Sequence, residues 1–160
     1  MRASAFVYLV LIFMPFACSL PPRPETAESA SDLYYVEEVT DGDTFVLKDG
    51  EKVRLIGIDA PETPQSYKQR NFHYGIEARD YLEELIESRR VKLEFDREKR
   101  DRYGRLLAYV WLESGLFINA HLIREGYARV VTFPPNVKYH DELIRFEDEA
   151  RKAKRGLWKK

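Results

Sequence analysis

Cysteine is all but absent from this chain. Cys18 stands alone, so no disulfide can form within it. The three histidines, His73, His121 and His140, are scattered. Without a second cysteine beside them they do not make the ligand set of a zinc site. Excess charge is lacking too, since 26 Lys and Arg stand against 27 Asp and Glu for a formal net charge of −1. That balance excludes a surface that coats polyanions broadly, but it leaves room for a local basic site beside a bound cation. No internal repeat is found. The apolar run from Ala5 to Met14 is too short to span a bilayer.

That run has the size of a signal-peptide core, with Arg2 before it and small residues after it. Two outcomes are open. Cleavage after Ser19 would use Ala17 and Ser19 and release a soluble protein; alternatively Cys18 becomes the lipidated first residue of a bacterial lipoprotein. Pro21, Pro22 and Pro24 follow at once and argue against a buried N-terminal strand. The expected organisation is a signal peptide over 1–19, or a lipoprotein signal ending before Cys18, a disordered linker over 20–32, and one domain over 33–160. The expected location is outside the cell or in the cell envelope, with membrane attachment only through Cys18.

Within the domain the apolar residues change period several times. Tyr34 to Thr40, Thr44 to Lys48 and Glu51 to Ile58 read as strands separated by Asp41-Gly42 and Asp49-Gly50 turns. Ala78, Tyr81, Leu82, Leu85 and Ile86 recur at helical spacing within a helix from about Tyr74 to Ser88. Strands follow over Val91 to Asp96 and Leu106 to Leu112, then a helix from about Phe117 to Glu125 ending at Gly126. A short strand from Tyr127 to Thr132 precedes a last helix from about Tyr139 to Lys154, behind which Trp158 docks. His121 and His140 read as helix-surface residues. Short strands with helices inserted late make an α+β domain. A five-stranded OB-type β-barrel capped by about three α-helices fits the pattern best.

The segment DGDTFVLKDGEKVRLIGIDAPE, 41–62, carries residues that a barrel core would not choose: Asp43, Arg54, Asp59 and Glu62. Singly each is unremarkable. Asp-Gly-Asp-Thr is commonly a hairpin turn, Asp-Ala-Pro-Glu a solvated one, Arg54 reads as an outward-facing strand residue, and Arg105 simply follows the Tyr103-Gly104 turn. Jointly they sit where strand ends of a small barrel converge. Three carboxylates and a guanidinium held together in this way resemble a metal site with a phosphate clamp.

DGDT, VRLIGIDAPE, YGIEAR and DRYGRLLAYV, in this order and spacing, resemble the staphylococcal nuclease-like (thermonuclease) family over roughly Tyr34 to Trp158. The resemblance implies the same barrel and calcium-dependent hydrolysis of DNA and RNA; the chain is expected to act as a monomer. It places Asp43 and Asp59 as calcium ligands, with the backbone carbonyl of Ala60 in a position where better-known members have threonine. It makes Glu62 the group that positions or deprotonates the attacking water, and Arg54 and Arg105 the pair that holds the scissile phosphate. Tyr103 and Arg102 fall near that phosphate. Phe133 falls in a segment, VVTFPPN, that departs from members with nucleotide-facing tyrosines, and it is placed to stack on a base. The competing expectation is a nucleic-acid-binding module of the same barrel without catalysis; a third, a small exported calcium-binding protein, leaves both arginines unexplained.

The two readings of the leader predict different products. With lipidation at Cys18 the protein partitions with membranes, and Cys18→Ser releases or misprocesses it. With ordinary cleavage, fractionation finds it soluble and terminal sequencing reads Leu20.

Overall fold

A computed structural model describes residues 33–62 and 72–159, which belong to one compact unit. The leader, Cys18 and the linker lie outside the described residues. So does most of the polar loop expected between Thr63 and His73.

Five strands close a barrel. β1 (Leu33–Asp41) pairs antiparallel with β2 (Thr44–Leu47), and β2 with β3 (Lys52–Leu55). Parallel to β3 runs β6 (Leu106–Leu112), which pairs antiparallel with β5 (Arg90–Glu94), and β5 returns to β1. The resulting order is β1-β2-β3-β6-β5, a mixed OB-type barrel. Each strand sends a β-branched or aromatic residue to the axis: Val36, Phe45, Val53, Val91 and Val110 are all fully buried. Burying such a side chain stabilises by roughly 1.5–3 kcal/mol, so this layer holds the barrel shut.

The expected third strand breaks in two. Gly57 turns with φ 79°, and β4 (Ile58–Asp59) leaves the barrel to pair with β7 (Arg129–Val130). Apolar periodicity did not reveal the break because Leu55, Ile56 and Ile58 are buried on both sides of it. A Cβ at Gly57 would lie 2.7 Å from Leu143 Cδ1, so the left-handed turn is also tightly covered. Asn119, fully buried, secures the same turn: its Nδ2 donates to the Ile56 carbonyl at 2.9 Å and its Oδ1 accepts from the Val110 amide at 2.9 Å.

Three helices cap the barrel. α1 (Phe72–Ile86) buries Ala78, Leu82 and Ile86 completely, with Tyr81 and Leu85 beside them, which is the expected stripe. α2 (Ile118–Glu125) stops at Gly126, which adopts the left-handed conformation with φ 80°. α3 (His140–Lys152) buries Leu143 and Ala150, and its half-buried Glu147 accepts the Val130 amide at 3.0 Å, which holds β7 in place. The Arg151 guanidinium lies 3.5 Å from the ring centre of Trp158, so the tail packs on α3 as expected.

His121 is a correction to the surface reading. It is half-buried, 2.9 Å from the Tyr81 hydroxyl, and burial lowers its pKa. Among the described residues no helix is long and apolar enough to cross a membrane.

Asn119→Leu strands the Val110 amide and the Ile56 carbonyl in the core. Each orphaned group costs on the order of 1–3 kcal/mol, so urea unfolding of this variant shows a clearly lowered midpoint at unchanged slope.

Candidate active site

The β1–β2 turn presents Asp43, only 6% exposed, to the interior of the barrel rim. Its Oδ1 accepts from the Thr44 hydroxyl at 3.0 Å and its Oδ2 from the Ala60 amide at 2.9 Å. The turn can lie this close because Gly42 has no side chain: a Cβ there would sit 2.7 Å from that of Ala60 and 2.8 Å from that of Ala78. Burial pushes the Asp43 carboxyl up. Arg54, the Ala60 amide and the Thr44 hydroxyl oppose that rise without cancelling it.

Arg54 reaches from β3 into the same space. One amine, Nη1, lies 2.9 Å from Asp43 Oδ2 and donates to the carbonyls of Ile58 at 3.0 Å and Leu55 at 3.2 Å. The other, Nη2, lies 3.3 Å from Asp59 Oδ1 at the end of β4. A single guanidinium thus bridges the two aspartates. The outer oxygen of Asp59 faces Arg129 of β7 at 3.6 Å.

Beyond Asp59 the chain is irregular through Ala60, Pro61 and the exposed Glu62. The Asp41 carboxyl stands beside that of Glu62, and a hydrogen bond forms between them when one of the two is protonated. That bond, with partial burial and the charges of Asp41, Asp43 and Asp59, raises its pKa. Asp41 is therefore a fourth carboxylate at the site. Sequence reasoning assigned it to the turn, although it is the first aspartate of the same Asp-Gly-Asp run.

The opposite wall comes from the β5–β6 loop. Arg105 is held through Nε, which donates to Asp101 Oδ2 at 2.7 Å, while Asp101 Oδ1 accepts the amides of Tyr103 and Arg105. Among the described residues the two Nη groups of Arg105 make no hydrogen bond, so four N–H donors remain for a ligand. Arg102 donates to the Tyr103 hydroxyl at 2.5 Å and lies over its ring at 4.7 Å. Asn136 joins the Phe133 segment to this loop, its amide exchanging hydrogen bonds with the backbone of Glu98 at 2.9 and 2.8 Å. Asp101 and Asn136 were both missed from the sequence. An aspartate four residues before Arg105 in a Tyr-Gly turn is the signal that points to the first.

Arg54, Asp59, Arg102, Tyr103, Arg105 and Phe133 line one open cleft of about 520 Å³. Two aromatic rings stand in it almost bare, Tyr103 at 69% and Phe133 at 70% exposed. Asp43 and Ala60 lie behind Arg54, and Glu62 lies beside them through Asp41. The expected convergence is therefore present in two halves, one of carboxylates around Arg54 and one basic and aromatic. Among the described residues no three His, Cys, Asp or Glu side chains form a ready metal cage; Asp43 and Asp59 converge on Arg54 instead.

An OB-type barrel with arginines and carboxylates facing across a rim cleft is a fold and site suited to a phosphate ester. Sequence comparison places it further: a family model described as "Staphylococcal nuclease homologue" matches residues 52–160. The chain is 40% identical over 161 residues to a thermonuclease of Staphylococcus intermedius, covering 98% of this chain and 94% of that one. It is 42% identical over 130 residues to a thermonuclease of Staphylococcus hyicus, covering 78% and 75%. Endonuclease YncB of Bacillus subtilis is 41% identical over 132 residues, covering 78% of this chain and 61% of that one. This chain belongs to the staphylococcal nuclease homologue family.

The hold of Asp101 on Arg105 has a pH signature. Partial burial alone would raise the Asp101 carboxyl, but the Arg105 side chain and the Arg105 and Tyr103 amides outweigh it and hold it low. A depressed carboxyl stabilises the fold fully above its unfolded pKa, and that contribution is lost as pH falls through the lower folded value. Carbon NMR of the carboxyl is expected to titrate below the usual aspartate range. Hydrogen exchange at Arg105 Nε, slow at neutral pH, is expected to be fast in Asp101→Ala.

Proposed function

We propose that this chain is an exported, calcium-dependent nuclease that hydrolyses phosphodiester bonds of DNA and RNA as a monomer. The observation that carries the reading is the bridge of Arg54 between Asp43 and Asp59, with Glu62 beside it and Arg105 across the cleft. The names of the relatives, thermonuclease and endonuclease, support it. Export is inferred from the leader over 1–19, with Cys18 as the point of lipid attachment in the lipoprotein case.

The donor set suits a hard cation. It is made of oxygen only; burial leaves the Asp43 carboxyl raised although Arg54 opposes it, and the neighbouring Asp41 leaves Glu62 raised. Asp43, Asp59 and the Ala60 carbonyl would hold Ca2+. When bound, the ion supplies charge neutralisation at a phosphate oxygen and between the carboxylates.

The protein's own groups account for the rest. Arg105, oriented by Asp101, and Arg54 donate paired hydrogen bonds to non-bridging phosphate oxygens, and these strengthen as charge builds at phosphorus. Glu62 takes a proton from the attacking water, and its raised pKa brings its basicity closer to neutral pH, where a general base works best. The water oxygen bonds to phosphorus as the ester P–O bond breaks, and the leaving oxygen takes up a proton from solvent. Tyr103 and Phe133 offer exposed ring faces to unstacked bases, and Arg102 adds charge beside Tyr103.

Single-turnover cleavage of single-stranded DNA and RNA, set against equilibrium binding, tests this reading. Glu62→Gln is expected to lose roughly 10²- to 10⁴-fold in cleavage while binding persists. Arg105→Ala is expected to lose on the order of 10³-fold. Asp43→Asn weakens calcium binding, and a chelator abolishes cleavage by the wild type. Cleavage by purified Glu62→Gln and Arg105→Ala equal to wild type would leave a binding module in place of an enzyme.

A further inference from the structure

Glycine sits in a protein either because φ must be positive or because there is no room for a Cβ. Gly75 lies in the first turn of α1 outside the left-handed region, so the first reason does not apply. The second does. A Cβ on Gly75 would lie 2.3 Å from the carbonyl oxygen of Glu62, 2.8 Å from its carbonyl carbon and 3.1 Å from the carbonyl oxygen of Pro61. All three are backbone atoms, and none can swing aside as the tip of a flexible side chain would. The segment that carries Glu62 therefore rests directly on the bare backbone of the helix.

α1 is a firm support, because Ala78, Leu82 and Ile86 are fully buried on the barrel side. One turn along, Ala78 meets the second active-site stretch: its Cβ is 2.8 Å from the place a Cβ on Gly42 would take, next to Asp41 and Asp43. The two stretches that bring Asp43 and Glu62 together thus share one reference surface. Glu62 itself lies past the end of β4 and is exposed.

We propose that Gly75 is a positioning residue for Glu62, setting the distance of the Pro61–Glu62 backbone from α1 and through it the place of the Glu62 carboxylate. This rests on the reading of Glu62 as the general base. Alanine is the better helix former, so at a roomy site the exchange would be neutral or stabilising. Here the added methyl must lift the segment or the helix start by about 1 Å, a displacement of the size that costs on the order of 10²-fold in rate.

The experiment is a double-mutant cycle on the calcium-loaded mature domain with single-stranded DNA, reading kcat and KM separately. Gly75→Ala is expected to lower kcat on the order of 10²-fold with KM little changed. In the Glu62→Gln background the same exchange is expected to cost little more, because the group it misplaces is already disabled. An equal loss in both backgrounds means that the glycine acts on the domain at large, and overturns the proposal. So does Gly75→Ala with wild-type kcat while Glu62→Gln is impaired. Wild-type kcat in Glu62→Gln itself defeats the underlying reading of Glu62 instead. If circular dichroism finds Gly75→Ala unfolded, Pro61→Gly is combined with it so that the segment can yield. A folded double variant well below Pro61→Gly alone in kcat supports positioning; equal kcat, or failure to fold, overturns it.

Discussion

The placement of Arg54 between Asp43 and Asp59 is the constraint on which the site depends. Asp43 is nearly buried, and burial favours the neutral form of its carboxyl. The guanidinium opposes this without cancelling it, and ties three backbone stretches together: the β1–β2 turn, strand β3 and the end of β4. Removing one partner of a buried pair strands the other, so the arrangement stabilises the rim only as a unit. The planar fork of arginine is needed because two acids and two carbonyls are met from one head group.

The second half of the site is built differently. Arg105, Tyr103 and Arg102 ride on a polar loop outside the barrel core, and that loop is held at several points along its length. Asp101 closes its turn, Arg100 ties it to Glu51 in the turn between β2 and β3 at 2.7 Å, and Asn136 fastens it to the Phe133 segment. Ligand-facing groups are thereby exposed and yet preorganised, which limits the side-chain entropy lost on binding. Tyr103 and Phe133 thus stand exposed in the same cleft as Arg102 and Arg105.

Between the halves runs the irregular stretch from Ala60 to Glu62, with no hydrogen-bonded ladder of its own. Small residues decide where it lies. Gly42, Ala60, Gly75 and Ala78 allow turn, loop and helix to approach at distances that larger side chains would forbid. In a close-packed interior such contacts transmit position as directly as a hydrogen bond does.

The residues themselves were enough to find most of the elements and to single out candidate residues that the fold brings near one another. The stripe on α1, the strands of the barrel and the stop of α2 at Gly126 follow from local period and turn chemistry, which each segment carries alone. Asp43, Arg54, Asp59, Glu62 and Arg105 stood out jointly, through their placement near strand ends and the motifs that carry them. Other features were settled only by the assembled fold. The break at Gly57 depends on β7 and Asn119, which lie 60 or more positions further along the chain. The pairing of Glu62 with Asp41, the bridge of Arg54 to both aspartates and the parallel union of β3 with β6 are distances between segments, not neighbours. Hydrophobic period says which face of a strand or helix is buried; it carries no information about which distant group meets it there. Closing the barrel supplies that information, because it fixes the separation of strand ends to within the length of a hydrogen bond.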